Sequence, residues 1–401
     1  MVYFRGRTIK RRHIVAFALL FNTFSWYFLG RTMVHQLSDP FGSSSFEYAI
    51  LNVSYPASII VSGIIGAVLL TKVNRTRFFW AWILFGVSAG ISFSISVTSS
   101  AFATLLTSLL GISVGLGTPA CLSYFKESVM IENRGKIGGA ILFATLFGST
   151  IIFLGTSAFD FSSNPIFFAL WRAWGLIFLF FAPKKDVQLE IDVRKSVSLV
   201  SILRNRAFLL YFAAWLMFTL VEGFGMVVLN FAAGYELLIR IEPISAAFAT
   251  LLAGVLSDWI GRKRVLISGF VSLGIAYATI GLLPQIWISW LLFFIIEGIA
   301  LGSLWVLFML VLWGDLSPNG SEKFYAIGET PFFLTEMLYL FLTPYLALIP
   351  ATSAFSLAAF FLFLAVLPLL YAPETLPEKK IRERELKIYV DKAKKVKQKY
   401  A

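Results

Sequence analysis

Long apolar runs separated by short polar stretches dominate the pattern of this chain. Most runs have about 18–25 residues, and a helix of that length crosses a hydrocarbon layer of roughly 30 Å. Backbone groups in lipid must bond within their own segment, so the pattern predicts an all-α membrane protein with twelve transmembrane helices. The predicted helices lie at roughly 13–31, 47–71, 78–97, 101–125, 137–158, 164–182, 207–232, 243–257, 265–284, 287–313, 325–345 and 350–372.

The placement of basic residues predicts the orientation of these helices. The net charge of +12 could indicate a nucleic-acid-binding protein. With a cytoplasmic N-terminus and twelve crossings, however, 31 of the 34 Lys and Arg residues fall on the cytoplasmic side, the exceptions being Arg31, Arg172 and Arg240. The positive-inside rule predicts this asymmetry, so we expect both termini in the cytoplasm and no nucleic-acid partner.

A weak internal repeat divides the chain into halves. Residues 67–79 correspond to residues 254–266 at an offset of 187, and Gly111 corresponds to Gly298 at the same offset. The spacing predicts a six-helix bundle at 1–182, a cytoplasmic linker at 183–206, a second bundle at 207–372 and a basic tail at 373–401. Parallel halves of this kind enclose a central path, and the tail is expected near anionic lipid headgroups.

The stretch GVLSDWIGRKRVL at 254–266 resembles the signature loop of the major facilitator superfamily, through Gly254, Asp258, Gly261, Arg262 and Arg264. YFKESVMIENRG at 124–135 and PETLPE at 373–378 are similar to motifs of its sugar-porter branch. The resemblance spans the whole chain. It implies the major facilitator fold and a monomeric secondary transporter of the plasma membrane, a symporter-like carrier that works by alternating access.

The signature loop predicts a gate on the cytoplasmic side. Gly254 allows two helix backbones to approach closely, and Gly261 permits a tight turn. We expect acidic and basic side chains around this loop to hold helices together through exposed ion pairs, each contributing roughly 0–1 kcal/mol. The predicted gate comprises Arg75, Glu127, Arg134, Gly254, Asp258, Gly261, Arg262, Arg264 and Asp315. Alternatively, these charges only anchor the loops.

Charged residues inside membrane helices cost roughly 2.5–3.5 kcal/mol each, so each one suggests a function. The resemblance implies that the first, fourth, seventh and tenth helices line the cavity. Burial raises the pKa of a carboxyl, and we therefore predict proton coupling through Glu222, with Glu297 as the alternative. The predicted solute and proton pathway is Asn22, Thr107, Glu222, Asn230, Glu297, Trp305 and Glu336. We assign Glu329 to the gate, and Arg172 to a structural pairing with an acid or a backbone carbonyl.

The motifs do not determine the class of solute. The seventh helix lacks the Gln residues of the sugar-porter branch, so an organic acid or another metabolite is as compatible as a sugar. Export of amphipathic compounds and a non-transporting membrane sensor are the alternatives. An enzyme is not expected, because the chain has two His and one Cys, no metal-ligand spacing and no P-loop. We predict no cofactor, no metal, and protons and a small molecule as partners.

Overall fold

The computed structural model describes residues 11–42, 45–70, 73–95, 99–159, 165–181, 197–223, 236–318, 320–346 and 348–377, together with 386 and 390. Within these ranges the chain forms helices and no β-strand. The all-α membrane fold predicted from the apolar runs is therefore confirmed.

The first half contributes helices α1 to α6. These are α1 (Arg11–Ser38), α2 (Phe46–Leu69), α3 (Arg75–Ser92), α4 (Ser100–Gly115 and Thr118–Ser128), α5 (Arg134–Phe159) and α6 (Pro165–Ala173 and Gly175–Phe180).

The second half contributes helices α7 to α12. These are α7 (Arg206–Glu222), α8 (Ile241–Ile260), α9 (Arg262–Leu282), α10 (Trp287–Leu316), α11 (Ser321–Gly328 and Thr330–Leu346) and α12 (Ala351–Tyr371). Short helices at Leu199–Leu203 and Glu236–Ile239 precede α7 and α8.

Length and apolar character make eight of the described helices able to cross a membrane, namely α1, α2, α4, α5, α8, α9, α10 and α12. The other four coincide with predicted runs but are shorter, interrupted or begin with charged residues. Helix α7 was predicted to extend to 232. Its described part ends at Glu222, and residues 224–235 lie outside the described residues.

Polar residues at the ends of the apolar runs determine where several helices begin. Asn74 accepts hydrogen bonds from the backbone N–H groups of Thr76 and Arg77 at the start of α3, and Asn205 caps α7 in the same way. Such side chains satisfy N–H groups that have no partner within the helix. Gly261 forms the turn between α8 and α9, and its φ of +106° is disfavoured for other residues.

The internal repeat is visible in the helix starts. Arg75 and Arg262 begin α3 and α9, and the first residues of α4 and α10, and of α5 and α11, are likewise 187 residues apart. The two halves meet through α2 with α11 and through α5 with α8. These equivalent contacts are what a pseudo-twofold arrangement of two bundles requires. The bundle and linker boundaries stay predictions, since 182–196 lie outside the described residues.

Backbone-to-backbone packing joins α5 to α8. A Cβ atom added at Gly135 or Gly139 would overlap the backbone of α8, and one added at Gly254 would overlap the carbonyl of Gly135. The hydroxyl of Thr250 donates to the carbonyl oxygen of Gly139 at 3.1 Å, across the two halves. Small residues therefore bring the halves together at the end of the bundle that carries the signature loop. We call this end the basic side, and the opposite end, where α1 finishes, the cavity side.

Candidate functional site

Asp315, near the end of α10, lies at the centre of a buried ion-pair network on the basic side. One carboxylate oxygen accepts from Nη1 of Arg134 in the first half, and the other accepts from Nε of Arg262 at 3.3 Å. The side chains of Asp315 and Arg262 are both 0% exposed. A single carboxylate therefore joins guanidinium groups from both halves.

Asp258 caps a helix that belongs to the other half. Its oxygens accept from the backbone N–H groups of Gly135 and Lys136, at 3.0 and 2.7 Å, in the first turn of α5. The same carboxylate forms an ion pair with Arg262 at 2.6 Å. Since the N-terminal end of a helix attracts negative charge, Asp258 holds α5 against α8 by charge and by hydrogen bonding.

Arg75 provides a second connection between the halves. Its guanidinium binds both oxygens of Glu127, at 2.6 and 2.9 Å, within the first half. Its Nη2 also donates to Glu322, at the start of α11, at 3.0 Å. Nearby, Lys126 donates to the carbonyl oxygen of Ser317 at 2.7 Å.

Glu374 of the PETLPE motif attaches the end of the second half to the same network. Its carboxylate accepts from the backbone N–H groups of Arg262 and Lys263, at 2.9 and 3.1 Å. It therefore caps α9 as Asp258 caps α5. Glu374 and Glu322 belong to this network but not to the predicted gate. The motif pointed to Glu374, but no local pattern pointed to Glu322.

The structure brings most of the predicted gate residues together, with two differences. Arg264 is exposed in the first turn of α9, whereas Arg262 of the same turn is buried. The expectation of exposed ion pairs is wrong for most of the network, because the side chains of Arg75, Arg134, Asp258 and Arg262 are at most 7% exposed; that of Glu127 is 44% exposed. Close helix packing around Gly135 and Gly254 excludes solvent from these pairs.

A cavity of about 460 Å³ lies between the halves, nearer the end of the bundle where α1 finishes. Small-molecule sites typically have volumes of roughly 300–1,000 Å³. Residues of α1, α2, α7, α8, α10 and α11 line it, and exposed side chains of Arg31 and His35 stand among them. The acidic residues of the lining are Glu222, Glu242, Glu297 and Glu336.

One ion pair crosses the cavity from one half to the other. Arg31 of α1 pairs with Glu336 of α11 at 3.1 Å, and the hydroxyl of Tyr27 donates to the other oxygen of Glu336 at 3.2 Å. Glu297 of α10 accepts one hydrogen bond, from Tyr277 at 3.4 Å. Glu222, at the end of α7, lies close enough to Glu242, Arg31 and Trp305 to interact with them electrostatically.

Aromatic rings separate the cavity from the ion-pair network. Phe332 lines the cavity one helical turn closer to the basic side than Glu336. Its ring centroid lies 6.1 Å from Tyr27, 6.1 Å from Trp305 and 6.5 Å from Trp215. Rings from both halves therefore close the cavity toward the basic side.

The structure places the predicted pathway residues in different environments. Glu222, Glu297 and Glu336 line the cavity. Trp305 lies next to Phe332 and Glu222 but outside the cavity lining, and Asn230 lies outside the described residues. Glu242 was missed, because the eighth predicted helix begins one residue after it, at 243.

Asn22 and Arg172 form a buried pair inside the first half, so the expectation of Asn22 in the pathway is not met. Arg172 Nη1 donates to Oδ1 of Asn22 at 2.6 Å. The guanidinium also lies 4.1 Å from the ring centroid of Trp82. Arg172 therefore pairs with an amide and an indole ring and not with the acid or backbone carbonyl that was predicted.

Two further predicted residues lie away from the expected sites. The Thr107 hydroxyl is 2.5 Å from that of Ser54 and donates to the carbonyl oxygen of Thr104, so it belongs to the α2–α4 interface rather than to the cavity lining. Glu329, assigned to the gate, is buried where α11 is interrupted. No hydrogen-bond partner for its Oε1 is found in the described part of the chain.

These features define a helical membrane protein of two six-helix halves around a central cavity that is closed on one side. Residues 235–398 match the sequence model of the Major Facilitator Superfamily. No curated protein matches the chain at a significant level.

Solved structures with the same fold cover the length of the chain. The proton:xylose symporter XylE, bound to 6-bromo-6-deoxy-D-glucose, is 16% identical with a TM-score of 0.69, over 91% of this chain and 96% of that one. XylE from E. coli in a partially occluded inward-open conformation is 17% identical with a TM-score of 0.65, over 91% and 98%. The human organic anion transporter MFSD10 (TETRAN) is 17% identical with a TM-score of 0.61, over 91% and 100%. The resemblance to the major facilitator superfamily is confirmed, and the chain has the major facilitator fold.

Proposed function

We propose that the chain is a secondary transporter that moves a small solute by alternating access across the plasma membrane, with both termini in the cytoplasm. One observation carries this proposal. A cavity of solute size lies between the two halves, while aromatic rings and buried inter-half ion pairs seal the basic side. We assign this arrangement to the outward-open state. The symporter and the organic anion transporter with the same fold support it.

The gate opens as a unit in this proposal. Removing one partner of a buried ion pair costs about 3–5 kcal/mol, since the other charge stays buried. Separation of the halves avoids this cost, because water reaches Asp315, Arg134 and Arg262 together. The network therefore stabilises the sealed state without preventing its opening.

The carboxyl groups of the cavity provide a route for proton coupling. Acidic residues inside membrane helices commonly mark proton pathways. Glu222 is the preferred carrier because it lies at the end of α7 within the cavity, and Glu297 is the alternative. Arg31, Glu242 and Glu336 are the charged residues that interact with Glu222. Protonation of Glu222 therefore changes its electrostatic interaction with these three groups.

The test uses the full chain in vesicles that contain a pH-sensitive dye. Sugars, organic acids, amino acids and amines are added singly, and internal pH is followed for the native protein, for Glu222→Gln and for Glu297→Gln. Glu47→Gln is the matched control, since Glu47 is an exposed acid at the same end of the bundle. We expect solute-dependent acidification that Glu222→Gln abolishes and Glu47→Gln retains.

Two other results would contradict parts of the proposal. Uptake of labelled solute with no pH change would show that protons are not the coupling ion. No uptake of any solute by correctly folded protein would contradict the transporter assignment and favour the membrane sensor.

A further inference from the structure

The charges that line the cavity do not balance. Four carboxyl groups, those of Glu222, Glu242, Glu297 and Glu336, face it, and Arg31 is the one arginine or lysine among the described residues of its lining. The lining also contains His35, which forms an ion pair with Asp39 at 2.9 Å. Arg31 binds Glu336 and also interacts with Glu222, so Glu242 and Glu297 remain without a basic counterpart in the described lining.

Glu297 carries the strongest indication of a ligand. The residue is 9% exposed, and its carboxylate accepts one hydrogen bond, a long one of 3.4 Å, from Tyr277. A carboxylate has about four acceptor positions, and Glu297, which lines the cavity, uses one of them for Tyr277. No salt bridge to Glu297, Glu222 or Glu242 is formed by any residue that the structure describes. An incoming positive group would supply the missing partner.

Aromatic residues line the same cavity. Phe294 precedes Glu297 by one helical turn, Phe332 closes the cavity toward the basic side, and Tyr55 and Tyr339 contribute from α2 and α11. Ring faces attract cations, most strongly when the cation is shielded from water. Carboxylates together with aromatic rings are the surroundings in which an organic cation binds best. An organic anion would instead meet uncompensated negative charge.

The arrangement does not suit a metal ion. Calcium, for example, requires 6–8 oxygen atoms at 2.3–2.6 Å from one point. In the described part of the chain no three acidic, histidine or cysteine side chains converge closely enough to hold a metal. The carboxylates are spread around a cavity of about 460 Å³, which matches a larger ligand.

We propose that the cavity binds an amphipathic organic cation, such as an aromatic amine or quaternary ammonium compound, with Glu297 and Glu242 as its counter-ions and Phe332 as a ring contact. This inference rests on the proposed transport function and specifies its solute class. Glu336 already forms an ion pair with Arg31, so the incoming cation pairs with Glu297 and Glu242.

The binding experiment uses a pair of probes with similar shape and opposite charge. The cation is labelled 1-methyl-4-phenylpyridinium, and the anion is labelled biphenyl-4-carboxylate. Equilibrium dialysis is carried out with the purified full chain in detergent, for the native protein and for Glu297→Gln, Glu242→Gln and Glu47→Gln. Size-exclusion elution verifies that each variant is folded.

We expect the native protein to bind the cation and not the anion. Glu297→Gln and Glu242→Gln should each weaken cation binding roughly 10- to 100-fold, the effect of losing a charge-assisted hydrogen bond. Glu47→Gln should bind like the native protein. Equal binding of the cation to all four proteins would overturn the inference, as would preferential binding of the anion.

Uptake of the same probes and of labelled xylose into vesicles separates failure of this inference from failure of the proposed function. Cation uptake that the two cavity variants lose supports both. Uptake of xylose or of the anion, without cation binding, overturns the cation inference and retains the transporter. Cation binding without uptake of any probe supports the site and contradicts transport.

Discussion

Substitution of Asp315 by Asn tests the gate most directly. Among the described residues, Asp315 is the one carboxylate that contacts both Arg134 and Arg262, and its side chain is 0% exposed. Asn preserves the shape but removes the charge, which leaves buried guanidinium groups with less compensation. Such a loss costs about 3–5 kcal/mol when it cannot be relieved. Opening of the basic side relieves it, so the variant should favour the inward-open state.

The magnitude can be converted into a change in population. Arg262 retains Asp258 as a partner, so the lower value of about 3 kcal/mol is appropriate. Every 1.4 kcal/mol corresponds to a factor of ten, and the ratio of inward-open to sealed molecules should therefore rise roughly 100-fold.

Cysteine labelling measures this shift. Cys121, which is buried and is the only native cysteine, is replaced by Ser, and Ser321→Cys introduces a probe. Ser321 is 2% exposed and bonds Ser123 across the two halves at 2.8 Å, so it reports opening of the basic side. We expect a membrane-impermeant maleimide applied to the basic side to label this probe much faster with Asp315→Asn, and at the native rate with Glu47→Gln. Unchanged labelling with Asp315→Asn in folded protein would refute the gate proposal.

Three further predictions follow from the same contacts. Asp258→Asn should also speed labelling of the Ser321→Cys probe, because it weakens the cap on α5; an unchanged rate would count against that role. Gly254→Leu should lower the transport rate of reconstituted vesicles by preventing close approach to Gly135, whereas a native rate would show that this packing is dispensable. Asn22→Ala should destabilise the protein by about 1.5–3 kcal/mol, measured by thermal unfolding in detergent, since it removes an oxygen bound to a buried charge. Adding Arg172→Met should restore most of that loss, and a further decrease would contradict this account.

The pattern of apolar and polar residues along the chain was sufficient to predict the twelve helices and the internal repeat. Lipid requires each crossing segment to satisfy its own backbone hydrogen bonds, so long apolar runs translate directly into helices. The members of the ion-pair network were also largely predictable, because acidic and basic residues at helix ends stand out against apolar sequence. Asp258, Arg262, Arg134 and Asp315 meet as the motifs indicated.

Only the tertiary structure shows which side of each helix points toward the cavity. A lipid-facing position and a position between two helices are both apolar, so the sequence does not show which residues look toward the cavity. Asn22 and Thr107 therefore turned out to join helices within the first half, while Glu242 turned out to line the cavity. Contacts between residues far apart in the chain, such as Arg75 with Glu322, also depend on how the two halves pack. The sequence determined the helices and their charged ends, and only the packing of twelve similar apolar surfaces decided which side chains share a site.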